Sequence, residues 1–559
     1  MSGQGSADEA IHLIDLQVAN LRESIRVLHS QRNGHLPISK LPAEILTEIF
    51  SLHQRNVTKE YTTQTLDWVG ITHICRQWRE IALNLSGLWI YIPFHNLRWA
   101  EEMIARSKHA CLIVVTNCNF SSSPRQAQFL KNFLQQHLSR VQALEISGDS
   151  PHRHVEKLFQ DIQPSSIPYL STLSLLTDWQ GRVPGSSPAY PLEILDSRLL
   201  NATSLRKVQV STTLGWNSRL FSGLTHLTLG GRWGNIPRTQ TSQRDFLDAL
   251  RRMPTLQHLD LNEPILLEVV DKSSLEPVYL PELRDLTVFD TVPTIEFFLH
   301  HVNFSATIRT SIGCKPVGPV LQLTDIFPVL VPLKRLLSER PRSLKLHHIE
   351  FSFSEDVDEL GTIDLRFNGW VSSGPSLLKG YDPNFPSSIP DFTFFVEWDS
   401  EVYDLPSDLA EFSVGVLALF PQDDVVSLLL TSYDIHNDWF TPFFSKVSQL
   451  PALNALFLHD ISSAELLLEP NCGVSREINN PSMATYPSLL YLDFSYCLLD
   501  TPALKTLHKC LKKRSEQSLG PRNLKMDLRT QKVSKRAAAL LEKVAKVVWV
   551  MDSDFVDSD

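Results

Sequence analysis

The chain has 559 residues, 43% of them hydrophobic and 20% charged, with a formal net charge of −10. That is room for several domains or one extended architecture of ordinary globular composition. It has no window of eighteen consecutive apolar residues, and its opening MSGQGSADEA lacks a basic region followed by a short apolar run, which points to the cytoplasm or nucleus, not secreted and not in a membrane.

Seven cysteines without a CxxC pair sit singly in apolar surroundings, the pattern of reduced thiols rather than of a disulfide framework or zinc site. Over residues 1–34, Ile11, Ile14, Val18, Leu21, Ile25 and Leu28 alternate steps of three and four, the a/d seam of a short coiled coil. Such a helix either pairs with a second copy or lies against the segment that follows. Leu13, Leu16 and Val27 widen the apolar face, which favours the second arrangement and a monomeric chain whose next module is steadied by this helix.

Residues 35–94 carry two amphipathic helices. Leu41, Ile45, Leu46, Ile49 and Phe50 recur at helical spacing, with Pro42 at a position where a first helical turn tolerates a missing amide. Ile74, Cys75, Trp78, Ile81 and Ala82 repeat the pattern, and Leu88-Trp89 follows a Ser-Gly break. A unit this small usually exports part of its apolar face to a partner. The three pieces in this order resemble the F-box, the adaptor-docking module of Skp-cullin-F-box ubiquitin ligases. The resemblance implies that Ile38, Leu41, Pro42, Ile45, Leu46, Ile49, Phe50, Ile74, Cys75 and Trp78 pack within the module or against a Skp-type adaptor, and that cullin and RING subunits follow through it. The polar stretch from Ser51 to Thr65 is longer than in the compact form of the motif.

Beyond Phe94, helix and strand alternate. WAEEMIARSKH precedes a strand at Cys111 to Val115, and FLKNFLQQHL precedes one at Val141 to Ile146. The pattern Pro-x-Leu-x-x-Leu-x-apolar then occurs at Pro168, Pro254, Pro281, Pro451 and Pro487, with looser copies near Leu205 and Leu224. A proline ends each helix, and the alternating residues after it form a strand with one face inward. Over residues 95–549 this resembles the degenerate leucine-rich repeats of F-box proteins, a curved parallel sheet with outer helices, so the fold class is α/β. The signal fades between Thr307 and Leu450, where Leu344-Lys-Leu, Phe392 to Val396 and Val425 to Leu430 are candidate strands and Pro375 to Pro390 a loop. A helix from Thr501, a strand near Leu524 and a closing helix over Ala537 to Val544 precede an acidic tail, 550–559.

No Gly-rich phosphate loop, GxSxG elbow or HExxH occurs, and the expectation is a protein with no catalytic residues, metal or cofactor. His347-His348 reads as a surface pair and Cys510 as a core position. Charge is segregated: Glu350 to Phe440 holds eighteen acidic and two basic residues, and Thr501 to Lys546 thirteen basic and three acidic. Nucleic acid is disfavoured as a partner, because interleaved aromatics are lacking at the basic end and the acidic region repels phosphate. In the acidic segment, aromatics alternate with Glu397, Asp399 and Glu401 around Trp398, which assigns Glu397, Trp398, Asp399 and Glu401 to contacts with a basic protein substrate. The expected function is a substrate-recognition subunit of a ubiquitin ligase; its alternatives are an F-box scaffold acting with the adaptor outside a ligase, and an enzyme whose site is scattered over the fold.

Overall fold

Helical stripes early in the chain give way to alternating strands further on, and the computed structural model follows that change. It describes residues 4–60, 66–117, 123–148, 158–177, 193–210, 215–230, 241–262, 267–268, 275–315, 322–356, 362–371, 389–399, 408–432, 440–459, 486–494, 501–516, 523–527 and 539–550. Two compact units divide the chain, one of residues 1–183 and 192–210, the other of 184–191 and 211–559. Among the described residues no helix is long and apolar enough to cross a membrane.

The first unit opens with α1 (Gln4–Gly34). Its apolar residues stay in solvent: Ile11, Leu13, Ile14, Leu16, Val18, Leu21, Ile25, Val27 and Leu28 are 36 to 64% exposed. The expectation that α1 lies against the next module is thus corrected, and no stabilisation of that module comes from this face. α2 (Ala43–Glu60) runs through much of the polar stretch after Phe50. The Pro42 carbonyl accepts from the amides of Ile45 and Leu46 at 3.1 and 3.2 Å, so Pro42 caps α2 rather than forming its first turn. A 3₁₀ turn at Asp67–His73 and α3 (Arg76–Asn84) complete the helical module.

The chain then enters a sheet without a break. β1 (Tyr91–Ile92) pairs with β2 (Leu112–Asn117), β2 with β3 (Val141–Gly148), β3 with β4 (Thr172–Thr177) and β4 with β5 (Lys207–Val210), every pairing parallel. The crossovers hold α4 (Leu97–Arg106), α5 (Pro124–His137) and α6 (Glu193–Arg198), as parallel strands require. Asn96 caps α4 by accepting from the Trp99 amide at 3.4 Å.

The second unit repeats the plan. β6 (His226–Leu229), β7 (His258–Asn262), β8 (Asp285–Thr291) and β9 (Arg309–Lys315) pair in parallel in chain order. α7 (Gln243–Arg251), capped by Ser242, and α8 (Val292–His301) lie between them in sequence. Leu259 pairs with Leu286 across the 27-residue step seen in the sequence, and both side chains are buried. After α9 (Phe327–Ser338) the order changes: β10 (His348–Asp356), β11 (Thr362–Trp370) and β12 (Phe392–Asp399) form an antiparallel meander. It is inserted so that β12 runs parallel to β9 and β10 parallel to β13 (Ser427–Ser432).

This meander coincides with the loss of the repeat signal: β11 pairs antiparallel with both of its neighbours, outside the parallel plan of the rest of the ladder. The expected strand at Leu344-Lys-Leu is a 3₁₀ turn, Arg342–Leu344, with the strand starting at His348. α10 (Leu409–Leu417) precedes β13 and α11 (Phe440–Val447) follows it. β14 (Ala455–His459), β15 (Tyr491–Phe494), β16 (Asn523–Asp527) and β17 (Lys546–Val550) then extend the parallel ladder, with α12 (Thr501–Glu516) before β16. Within the closing helix the sequence suggests, residues 539–541 are helical, and β17 follows as the last described strand. Aromatic contacts identify the helix-covered face of the meander: Phe394 meets Phe412 of α10 and Phe351 meets Phe443 of α11.

Two candidate docking surfaces

The helical module of the first unit sorts its apolar residues by burial. Leu46, Phe50 and Gln54, at helical spacing on α2, point inward, with Leu46 0% exposed. Gln54 Nε2 donates to the Leu88 carbonyl at 2.5 Å, so the one polar member of the stripe is satisfied. Trp68 and Trp89 meet edge to face at 5.1 Å, Trp89 Nε1 donates to the Ala82 carbonyl at 2.9 Å, and the Arg106 guanidinium covers the Trp89 ring at 4.3 Å. Trp78 is half-buried against Phe50, ring centroids 5.0 Å apart.

The outward stripe is different. Ile45 (48%), Ile49 (38%) and Leu52 are exposed on α2, and Leu36, Ile38 and Ile74 are exposed elsewhere in the module, while Pro42 is exposed and Leu41 and Cys75 are half-buried. Of the ten residues assigned to adaptor docking, Leu46 and Phe50 belong to the core. The structure leaves Ile38, Pro42, Ile45, Ile49 and Ile74 in solvent. Leu52 was missed, although its spacing from Ile45 and Ile49 continues the stripe.

On the second unit, the sheet face away from the helices carries rows of side chains in register. One row runs Asn262, Phe289, Gly313, Phe395, Arg366, Ser352, Thr431, His459. Phe289 and Phe395 stack at 5.3 Å and 13°, closing over Gly313, where a Cβ would meet the Phe395 ring at 2.2 Å and the Phe289 ring at 2.6 Å. The Arg366 guanidinium lies 5.2 Å from the Phe395 centroid and pairs with Asp364 at 2.5 Å. In the neighbouring row Thr393 donates to Asn368 and Asn368 to Glu350, each at 2.8 Å. Burial pushes the Glu350 carboxyl up, partly offset by that Asn368 bond and by Arg366.

Further along, His226 and His258 stack at 4.2 Å, and Asp285 bridges His258 at 2.7 Å and Arg309 at 2.9 Å. At the other end Asp493, 0% exposed, receives Lys525 and the Tyr491 hydroxyl, both at 3.3 Å.

Trp398 does not serve as a contact for a partner. It is 2% exposed because Phe392, Phe394, Val396 and Trp398 are the inward set of β12. Glu397 is half-buried on the other face; Asp399 is described only through its backbone pairing with Thr362, and Glu401 lies outside the described residues. The phenylalanine pair over Gly313 escaped sequence reading because the two rings and the glycine come from three strands far apart in the chain.

Of the two candidates for chemistry, Cys510 is a core position as expected, 6% exposed, whereas the histidines depart from expectation. His348 is buried and its Nδ1 lies 2.6 Å from the Ser427 hydroxyl, while His347 Nδ1 meets the Asp424 carbonyl at 2.9 Å; neither arrangement is a surface pair, and the Ser427–His348 bond is sealed from solvent. Cys510 is disulfide-bonded, so the reading of reduced thiols applies to Cys75, Cys111 and Cys314 and not to Cys510. Among the described residues no group of three or more His, Cys, Asp or Glu is placed to hold a metal ion.

The fold so described is an α/β protein, a helical region followed by a large, mostly parallel sheet. No family model matches the chain, and no curated protein matches it at a significant level.

Proposed function

We propose that the chain is a non-catalytic substrate receptor of a Skp-cullin-F-box ubiquitin ligase, its helical module an F-box and its strand ladder a degenerate leucine-rich-repeat domain. The observation that carries the reading is the outward stripe of Ile45, Ile49 and Leu52 on α2, exposed on a module whose core is closed by Leu46, Phe50, Trp68 and Trp89. A contiguous apolar stripe on a small, already closed module is costly in water unless a partner covers it. A Skp-type adaptor is the partner that the order of Leu41-Pro42, Ile74 to Ala82 and Leu88-Trp89 suggests.

In this reading no residue of the chain touches the transfer chemistry. The receptor raises the local concentration of a substrate lysine near a charged ubiquitin carrier. The polar face of the second unit's sheet presents substrate, with the Phe289–Phe395–Arg366 stack as anchor and the acidic segment selecting a basic protein. The test is reconstitution with a purified Skp-type adaptor and cullin. A stable ternary complex lost in Ile45→Asp/Ile49→Asp supports the reading, whereas an adaptor complex that excludes cullin supports a scaffold outside the ligase. No adaptor binding by the wild-type chain overturns both.

A further inference from the structure

The first helix carries more apolar surface than the chain itself covers. Along α1, Ile11, Val18 and Ile25 occupy the a positions of successive heptads, and Ile14, Leu21 and Leu28 the d positions. All six are exposed, with Val18 the least at 36% and Leu21 the most at 64%. β-branched residues at every a position with leucine at two of three d positions is the composition that favours two parallel strands. No charged residue interrupts the seam over these three heptads, and 31 residues of continuous helix are enough to present it whole.

We propose that α1 pairs with α1 of a second copy of this chain as a parallel two-stranded coiled coil. The area is sufficient. Each a or d side chain offers on the order of 100 Å² of apolar surface, so twelve of them remove roughly 1,200 Å² from water, the lower edge of a specific interface. In a parallel pair the residues facing across the flanks are Ala10 with Asp15, Gln17 with Arg22 and Ser24 with His29; none is a like-charge pair. Because both helices then end side by side at Gly34, the dimer delivers two copies of the helical module from one end of the coil. That doubles the outward stripe and raises the effective concentration for anything that engages both copies.

The experiment uses the full chain. Light scattering on a sizing column at micromolar concentration should give twice the 63.4 kDa chain mass, and Val18→Asp/Leu21→Asp should give the monomer. Leu16→Asp, at the f position on the opposite side, should remain dimeric. Because these positions are already in solvent, far-UV circular dichroism should show the rest of the chain folded in every variant. Ile14→Cys should form a disulfide with its own counterpart under mild oxidation, above the wild-type background, since d positions face each other only in the parallel arrangement. A monomeric wild-type chain overturns the proposal, as does a dimer that survives Val18→Asp/Leu21→Asp, or a dimer in which Ile14→Cys fails to crosslink. These outcomes are read without adaptor, so they are distinct from failure of the receptor reading.

Discussion

Ile45 and Leu46 are neighbours in sequence with opposite roles, and replacing each by alanine separates docking from folding. Leu46 is 0% exposed and packs in the module's core. Truncating it removes three carbons from a closed environment, at a cost of about 2–5 kcal/mol against a domain stability of about 5–15 kcal/mol. Ile45 and Ile49 already expose 48% and 38% of their surface, and alanine is the better helix former, so Ile45→Ala/Ile49→Ala should leave the urea midpoint almost unchanged. Covering their exposed parts by a partner releases about half of the roughly 1.5–3 kcal/mol of complete burial. That is about 1 kcal/mol each and about 2 kcal/mol together, or about 30-fold in Kd. Urea denaturation followed by circular dichroism, and titration calorimetry with a purified Skp-type adaptor, measure the two quantities separately. If Ile45→Ala/Ile49→Ala unfolds the module, or if adaptor affinity is unmoved, the assignment of the two faces of α2 is refuted.

Trp68→Ala should lower stability by about 3–5 kcal/mol, having lost both a core side chain and its edge-to-face partner Trp89, whereas half-buried Trp78→Ala should cost clearly less; equal losses would contradict the burial order. Gly313→Ala places a methyl within the ring contacts of Phe289 and Phe395 and should cost about 1–3 kcal/mol by overpacking, while weakening whatever substrate the sheet face binds; an unchanged denaturation midpoint would show that the rings swing aside freely. Burial pushes the His459 imidazole down to about 4, with Asp493 opposing the shift in part. Its unfolded form therefore binds the proton first, so stability should be complete above about pH 6.5 and fall as the pH drops toward 4, by up to about 3 kcal/mol from this residue. Denaturation midpoints for wild type and His459→Leu across that window check the slope, which should flatten in the variant.

The sequence alone settled much of the secondary structure, because local signals carry it. Proline after an apolar helix face, then alternation, placed the strands following Pro168, Pro254, Pro281, Pro451 and Pro487, and the registers Leu259 with Leu286 and Leu456 with Leu492 repeat the spacing of those motifs. Helical periodicity likewise located α2, α3 and α12. What periodicity does not encode is which side of an apolar stripe is covered. Leu46 and Ile45 are equally apolar, and only packing of α2 against Leu88, Trp68 and Trp89 decides that one is core and the other surface. The same holds for α1, whose face is wide enough to suit a core and yet meets solvent throughout, and for Trp398, placed inward by the pleat of β12. The antiparallel pairing of β10, β11 and β12 belongs to tertiary structure, since alternation along a strand does not say whether its neighbour runs parallel or antiparallel. The stack of Phe289 and Phe395 over Gly313 is a matter of register between strands: residues 24 and 82 positions apart become neighbours across β8, β9 and β12 only when parallel hydrogen bonding aligns them.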